Sequence, residues 1–319
     1  MRTTLLALIL VAACSSGTTG PPNNSPTLFY VANTGSSTIS AYATTDTGNA
    51  ASRLTISGTN TTLDQPEGIV LDPTGIVLTT SANPWRILVF AANAAGDVAP
   101  VAAISGANTL LSHPTGLALD QRGRLYVANE GTNSILVFAN GANGNVPPVT
   151  VISGSNTLLD VPDGIALDLR GRLYVANRVG NTVTVFAPGA SGNVSPVDTL
   201  AGPGTGLDVP SGIALDPASR IYVANTSSGA ATSSVTIYAA SATGNATPSA
   251  TISGSNTGLD QPRGLTLDGA GKIYVASSAL VSNQYRITVY DGAANGNVAP
   301  LRTLAGSNTG LSVPSHLSF

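Results

Sequence analysis

The chain has 319 residues, 42% of them hydrophobic and only 9% charged, with 35 glycines, 20 prolines and a net charge of −3. That composition supplies an ample core and excludes a disordered chain, and the lack of any basic block excludes nucleic acid as a partner. The single cysteine, Cys14, excludes disulfides, thiolate zinc and thiol nucleophiles from the rest of the chain.

In chain order, residues 1–13 (MRTTLLALILVAA) carry one basic residue, Arg2, ahead of an apolar run from Leu5 to Val11. At ~1.5 Å rise per residue this run falls well short of the roughly 20 residues that a membrane helix needs, so a signal peptide is expected here. Val11-Ala12-Ala13-Cys14 resembles the bacterial lipobox, which implies that Cys14 is lipidated and heads the mature chain. The Ser/Gly/Thr/Pro/Asn-rich segment that follows makes 14–27 a lipidated cysteine with a flexible tether. The resemblance implies an extracytoplasmic lipoprotein held to its membrane by lipid alone. Ser15, where an aspartate would signal inner-membrane retention, points to an outer membrane or cell surface.

From Leu28 onward one unit recurs six times, over 28–75, 76–123, 124–171, 172–219, 220–271 and 272–319. Each unit holds four short apolar segments, such as GIALD, RLYVAN, TVTVFA and VDTLAG, separated by Gly, Asn, Pro and Asp. Both alternating sets of RLYVAN are apolar or aromatic, as strands buried on two faces require. The expected fold is therefore all-β, a six-bladed β-propeller with four antiparallel strands per blade. Residues 28–33 (LFYVAN) match a second strand and 316–319 (HLSF) a first one, so the C-terminal strand should join the N-terminal three and close the ring. The phrases VANTGSSTI and VANEGTNSI resemble the NHL-repeat family, and the resemblance, which extends over Leu28 to Phe319, implies the same fold.

The recurring polar residues divide into turn formers and candidates for binding. Asp72, Asp120, Asp168, Asp216 and Asp268 follow the first strands and suit Asx turns. Asn49, Asp97, Asn145, Asn193, Asn245 and Asn297 each follow a glycine and suit a tight turn before the fourth strand. Asn33, Asn129, Asn177 and Asn225 end second strands on the face that would bind, and could offer amides to a neutral ligand, a peptide backbone or a glycan. Trp85 lies on the same face, as a stacking contact or as loop packing.

Near-identical repeats can localise chemistry only where they differ, and the position before the first-strand glycine holds Glu67, Thr115, Asp163, Ser211, Arg263 and Ser315, with His316 replacing the last glycine. These side chains should meet at the mouth of the central channel, where Arg263 would pair with Glu67 and Asp163. Glu67-Gly68 and Asp163-Gly164 also resemble acidic metal-ligand positions of the gluconolactonase-like propellers. That resemblance implies a divalent cation such as calcium on Glu67 and Asp163 and a water-activating lactonase or esterase, with Glu67, Asp163 or His316 as catalytic candidates, His113 as another proton carrier and Arg263 stabilising an oxyanion. The family's Asn and Asp ligand positions, however, carry Ser211 and Arg263 here. The two histidines, His113 and His316, lack zinc-ligand spacing, no G-x-S-x-G elbow is present, and glycine-rich stretches such as GANGNV open no helix. The expectation is a monomeric, cofactor-free binding or scaffolding module for an envelope protein, peptide or glycan, with ligand contacts from Glu67, Asp163, Arg263, His316 and the four asparagines. The metal-assisted hydrolase is the alternative.

Overall fold

A computed structural model describes residues 27–227, 232–278 and 284–319. Cys14 and the expected signal peptide and tether up to Pro26 lie outside the described residues. Those residues form six sheets of four antiparallel strands arranged in a ring. Blade 1 takes its inner strand, Pro314–Ser318, from the C-terminal end and its other three, Leu28–Asn33, Thr38–Ala43 and Leu54–Ile56, from the N-terminal end. Blades 2 to 6 follow as continuous segments, 69–105, 114–153, 162–200, 210–253 and 262–305. The inner strands touch one another around a closed circuit that passes through Pro314–Ser318. The only helices among the described residues are single 3₁₀ turns, and none is long and apolar enough to cross a membrane.

Second and third strands are buried on both faces because each blade is sandwiched between two others, which is why their sequence reads as continuous apolar runs. Tyr126 of blade 3 packs on Leu173, Val175 and Phe186 of blade 4, and Tyr174 of blade 4 packs on Ile221, Val223 and Tyr238 of blade 5. The first-strand aspartates cap their turns: Asp120 Oδ1 accepts the backbone N–H groups of Arg122 and Arg124, and Asp168 treats Arg170 and Arg172 alike. Their second oxygens accept Arg124 Nε and Arg172 Nε, each at 2.7 Å.

The residue after the third-to-fourth-strand glycine does more than turn the chain. Asn145 Oδ1 accepts the backbone N–H of Asn108, and Asn193 Oδ1 that of Asn156, each in the preceding blade. The glycine before each forms a parallel bridge to that blade's outer strand, Ile104 to Gly144 and Ile152 to Gly192. Every outer edge is thereby covered by its neighbour, which removes the strand template that an exposed edge would offer.

Candidate functional site

Five of the six inner strands carry a register irregularity just after their proline, as between Pro162 and Ile165 or between Pro262 and Gly264. The residue before the first-strand glycine sits on that bulge, a device that re-aims a side chain. The glycine is needed for close approach: a Cβ on Gly164 would collide with the carbonyl oxygen of Ser211, and one on Gly264 would lie 2.5 Å from that of Ser315. Backbone packed this tightly round the channel directs the bulge residues to its mouth.

There Glu67, Asp163, Arg263 and His316 come together as expected, but with different pairings. Arg263 Nη1 lies 3.9 Å from Glu67 Oε1 and forms no ion pair with Asp163. Asp163 is met instead by Arg178, whose Nε is 3.9 Å from Oδ2, by His316 Nε2 at 3.9 Å from Oδ1, and by Ser211 Oγ, which donates a 2.6 Å hydrogen bond. His113 joins the two acidic sides: Nε2 is 3.9 Å from Glu67 Oε2 and Nδ1 is 3.4 Å from Glu130 Oε1. Arg178 Nη1 donates to Glu130 Oε2 at 3.4 Å. The outcome is an arc of alternating basic and acidic residues, Arg263–Glu67–His113–Glu130–Arg178–Asp163–His316. Thr115, Ser211 and Ser315 complete the ring as buried hydroxyls.

Electrostatics follow from this crowding. Burial pushes the Glu67 carboxyl above its ordinary range and the Asp163 charge pushes the same way, against the pull of Arg263, His113 and His316. Contact with Glu130 raises the His113 pKa, and the Glu67 and Asp163 charges add to it, although partial burial opposes them. Trp85 lies against His113 with ring centroids 4.9 Å apart, and remains 38% exposed beside the arc.

The four asparagines do not line this surface. Asn33, Asn129, Asn177 and Asn225 are fully buried. Asn177 Oδ1 accepts the Asp160 N–H while its Nδ2 donates to Thr182 and Thr184, and Asn129 and Asn225 hold Ser112 and Asp208 in the same way. Asn33 holds Ser312. An amide whose two ends are both engaged inside the fold is a loop fastener, so the expectation that these four contact a ligand is corrected.

Glu130 and Arg178 escaped the sequence reading. Both occupy the position after the second strand, which reads Thr34, Ala82, Glu130, Arg178, Thr226 and Ser278 round the chain. That is a second site of charge divergence, and only the fold brings it to the first.

Residues 111–138, spanning the first three strands of blade 3, match the NHL repeat family. The third blade carries an NHL repeat. No curated protein matches the chain. Among solved structures, this propeller is similar to a Bacteroides caccae protein of unknown function, with TM-score 0.66, 11% identity, and coverage of 92% of this chain and 98% of the other. It is also similar to a candidate 6-phosphogluconolactonase from Bacteroides fragilis, with TM-score 0.60, 16% identity and coverage of 93% and 99%. A Lactobacillus plantarum protein gives TM-score 0.56 at 14% identity, with coverage of 91% and 98%. At such identities the likeness is one of fold.

The gluconolactonase-like metal set does not fit the mouth of this propeller. Its remaining ligand positions hold Ser211, which is spent on Asp163, and Arg263, whose guanidinium faces the Glu67 carboxylate a cation would need. Among the described residues no three His, Cys, Asp or Glu side chains are grouped to hold a metal.

Proposed function

We propose that this propeller is a binding module that takes a polar, hydroxyl-rich ligand of the glycan class at the channel mouth. One observation carries the reading. The two repeat positions that diverge in charge converge on a single arc whose ion pairs stand 3.4 to 3.9 Å apart, whereas the arginine–aspartate pairs of the opposite turns close to 2.7 Å. Such spacing leaves carboxylates and guanidinium groups free to bond hydroxyls that enter between them. Nε2 of His316 is buried and makes no hydrogen bond to the described residues, which adds one more group in need of a partner. Trp85 supplies an exposed flat face against which a sugar ring can stack.

The test is a soluble-glycan panel that includes peptidoglycan fragments, followed by titration of the hits. Arg178→Met and Trp85→Ala are each expected to weaken a hit about tenfold or more, in line with a charge-assisted hydrogen bond or a stacked ring, and to leave the melting temperature near that of the unaltered chain. A panel without hits, or hits indifferent to both substitutions, would remove the reading.

We further propose that Cys14 anchors the module at an outer membrane or cell surface. Metabolic labelling with a clickable fatty acid is expected to tag the full chain and to leave Cys14→Ser untagged. Equal labelling of the two would refute the anchor. The metal-assisted lactonase reading is not carried forward, because Ser211 and Arg263 occupy two of its ligand positions.

A further inference from the structure

A second departure from the repeat lies on the opposite face, between blades 2 and 3. In five blades the third residue of the second-strand segment is a tyrosine, Tyr30, Tyr126, Tyr174, Tyr222 and Tyr274, and all five are buried against the next blade. In blades 3, 4 and 5 an arginine two residues earlier lies over the ring, with Arg124, Arg172 and Arg220 5.5 to 5.8 Å from the ring centroids, and pairs with the turn aspartate. Blade 2 has Ile76 and Leu78 at these two places.

The boundary of blades 2 and 3 holds a cleft of about 440 Å³; the equivalent boundary of blades 3 and 4 has one of about 490 Å³, but there Arg124 and Tyr126 form part of the wall, whereas Ile76 and Leu78 leave an apolar floor here. Its lining reaches past Ile76 and Leu78 to Val89 and Ile104 of the third and fourth strands. Val89 is only partly buried, while its counterparts Val137, Val185, Ile237 and Val289 are buried in the blades that keep the tyrosine. The same change leaves one carboxylate without its cation. Asp72 Oδ1 caps its turn by accepting from Thr74 and Ile76, and its carboxylate lacks the arginine that pairs with the corresponding aspartates of blades 3, 4 and 5, because that residue is Ile76 here.

We propose that this cleft is a binding site for a small arylalkylamine, a flat ring joined by a short chain to a cationic nitrogen. Such a molecule restores what the repeat lacks: its ring covers Leu78, Val89 and Ile104 as tyrosine does in the other blades, and its cation reaches Asp72 as arginine does. The volume lies in the range of roughly 300 to 1,000 Å³ usual for small-molecule pockets, and the apolar floor with a charged rim is their usual chemistry. The site is separate from the channel mouth and does not depend on the reading given to it.

Calorimetric titration of the full chain with tyramine, and with p-cresol as the uncharged ring, tests the proposal. Tyramine is expected to bind saturably at millimolar concentration or below. Asp72→Asn should weaken tyramine about tenfold and leave p-cresol unchanged, as the loss of one charge-assisted contact predicts. The paired substitution Ile76→Arg and Leu78→Tyr should abolish binding of both and raise the melting temperature, since it covers the apolar floor with a ring and engages Asp72 as Tyr126 and Arg124 do with Asp120 in blade 3. Absence of saturable tyramine binding, binding that survives the paired substitution, or binding lost on Trp85→Ala at the mouth would each overturn it.

Discussion

Removal of residues 315–319 is expected to abolish cooperative folding of the whole ring. Within those five residues, Leu317 pairs with Val31 and Ser318 with Tyr30, so the deletion strips the inner edge of Leu28–Asn33. Leu317 is buried with Phe29, Val31 and Tyr274, and the Phe319 ring stands 5.0 Å from Tyr274 edge-on and 6.0 Å from Phe29. The same segment ties blade 2, since His316 N–H donates to the Glu67 carbonyl and Ser318 Oγ accepts from Leu71 N–H. A buried leucine contributes about 1.5 to 3 kcal/mol, each aromatic pair about 0.5 to 1.5 and each hydrogen bond about 0.5 to 1.5. Together these approach the roughly 5 to 15 kcal/mol by which native proteins are stable. The loss also opens the ring at both seams of blade 1. Circular dichroism melting should show no sharp transition in the truncated chain, and limited proteolysis should cut it throughout. Leu317→Ala serves as the milder control, at about 2 to 5 kcal/mol with the ring still closed. A truncated chain that melts like the intact one would mean that the other five blades hold the ring shut.

Most of the fold was legible because repetition multiplies weak signals. One RLYVAN could be a strand in many folds, but six related units spaced with similar turn residues specify blades, and the offset between the two ends specifies closure. What was not legible has a common cause: a single strand's sequence does not say which way a polar side chain at its end will turn. Asn129 and Asn177 lie at the rim, where an amide could face solvent, yet the unpaired N–H groups of Ser112 and Asp160 in the adjoining loop claim them. Asn145 and Asn193 sit in turns, and their reach into the preceding blade depends on a neighbour that is 37 residues away in sequence. For the channel mouth, five of the arc's seven residues were read from the sequence: Glu67, Asp163 and Arg263 at the bulge position, and His316 and His113 beside it. The other two, Glu130 and Arg178, belong to a different strand end, and a pattern taken one repeat position at a time cannot join the two sets.

The substitution Gly164→Ala is expected to cost about 3 kcal/mol or more, a large effect for one methyl group and at the upper end of overpacking penalties. Its Cβ would strike the Ser211 carbonyl oxygen and lie 2.9 Å from Ile213 N and 3.0 Å from Gly212 Cα, all backbone atoms of the next inner strand. A flexible side chain could swing aside, but this backbone is fixed in a closed ring and cannot yield at one seam without compressing another. Gly189→Ala provides the comparison: with φ of +76° and nothing within 4 Å of the new Cβ, it bears only left-handed strain of about 1 to 2 kcal/mol. At the seam between blades 1 and 2 the residue corresponding to Gly164 is His316, whose N–H bonds the Glu67 carbonyl at 3.2 Å. Because Asp163 and Ser211 flank the Gly164 contact, displacement there must also disturb the 2.6 Å bond between them. Thermal melting of Gly164→Ala beside Gly189→Ala is therefore expected to rank Gly164→Ala much the lower, with weakened ligand capture at the mouth at temperatures where it remains folded. Equal melting of the two would mean that the inner strands have room to part, and that the close approach of backbone is not what sets the geometry of the charged arc.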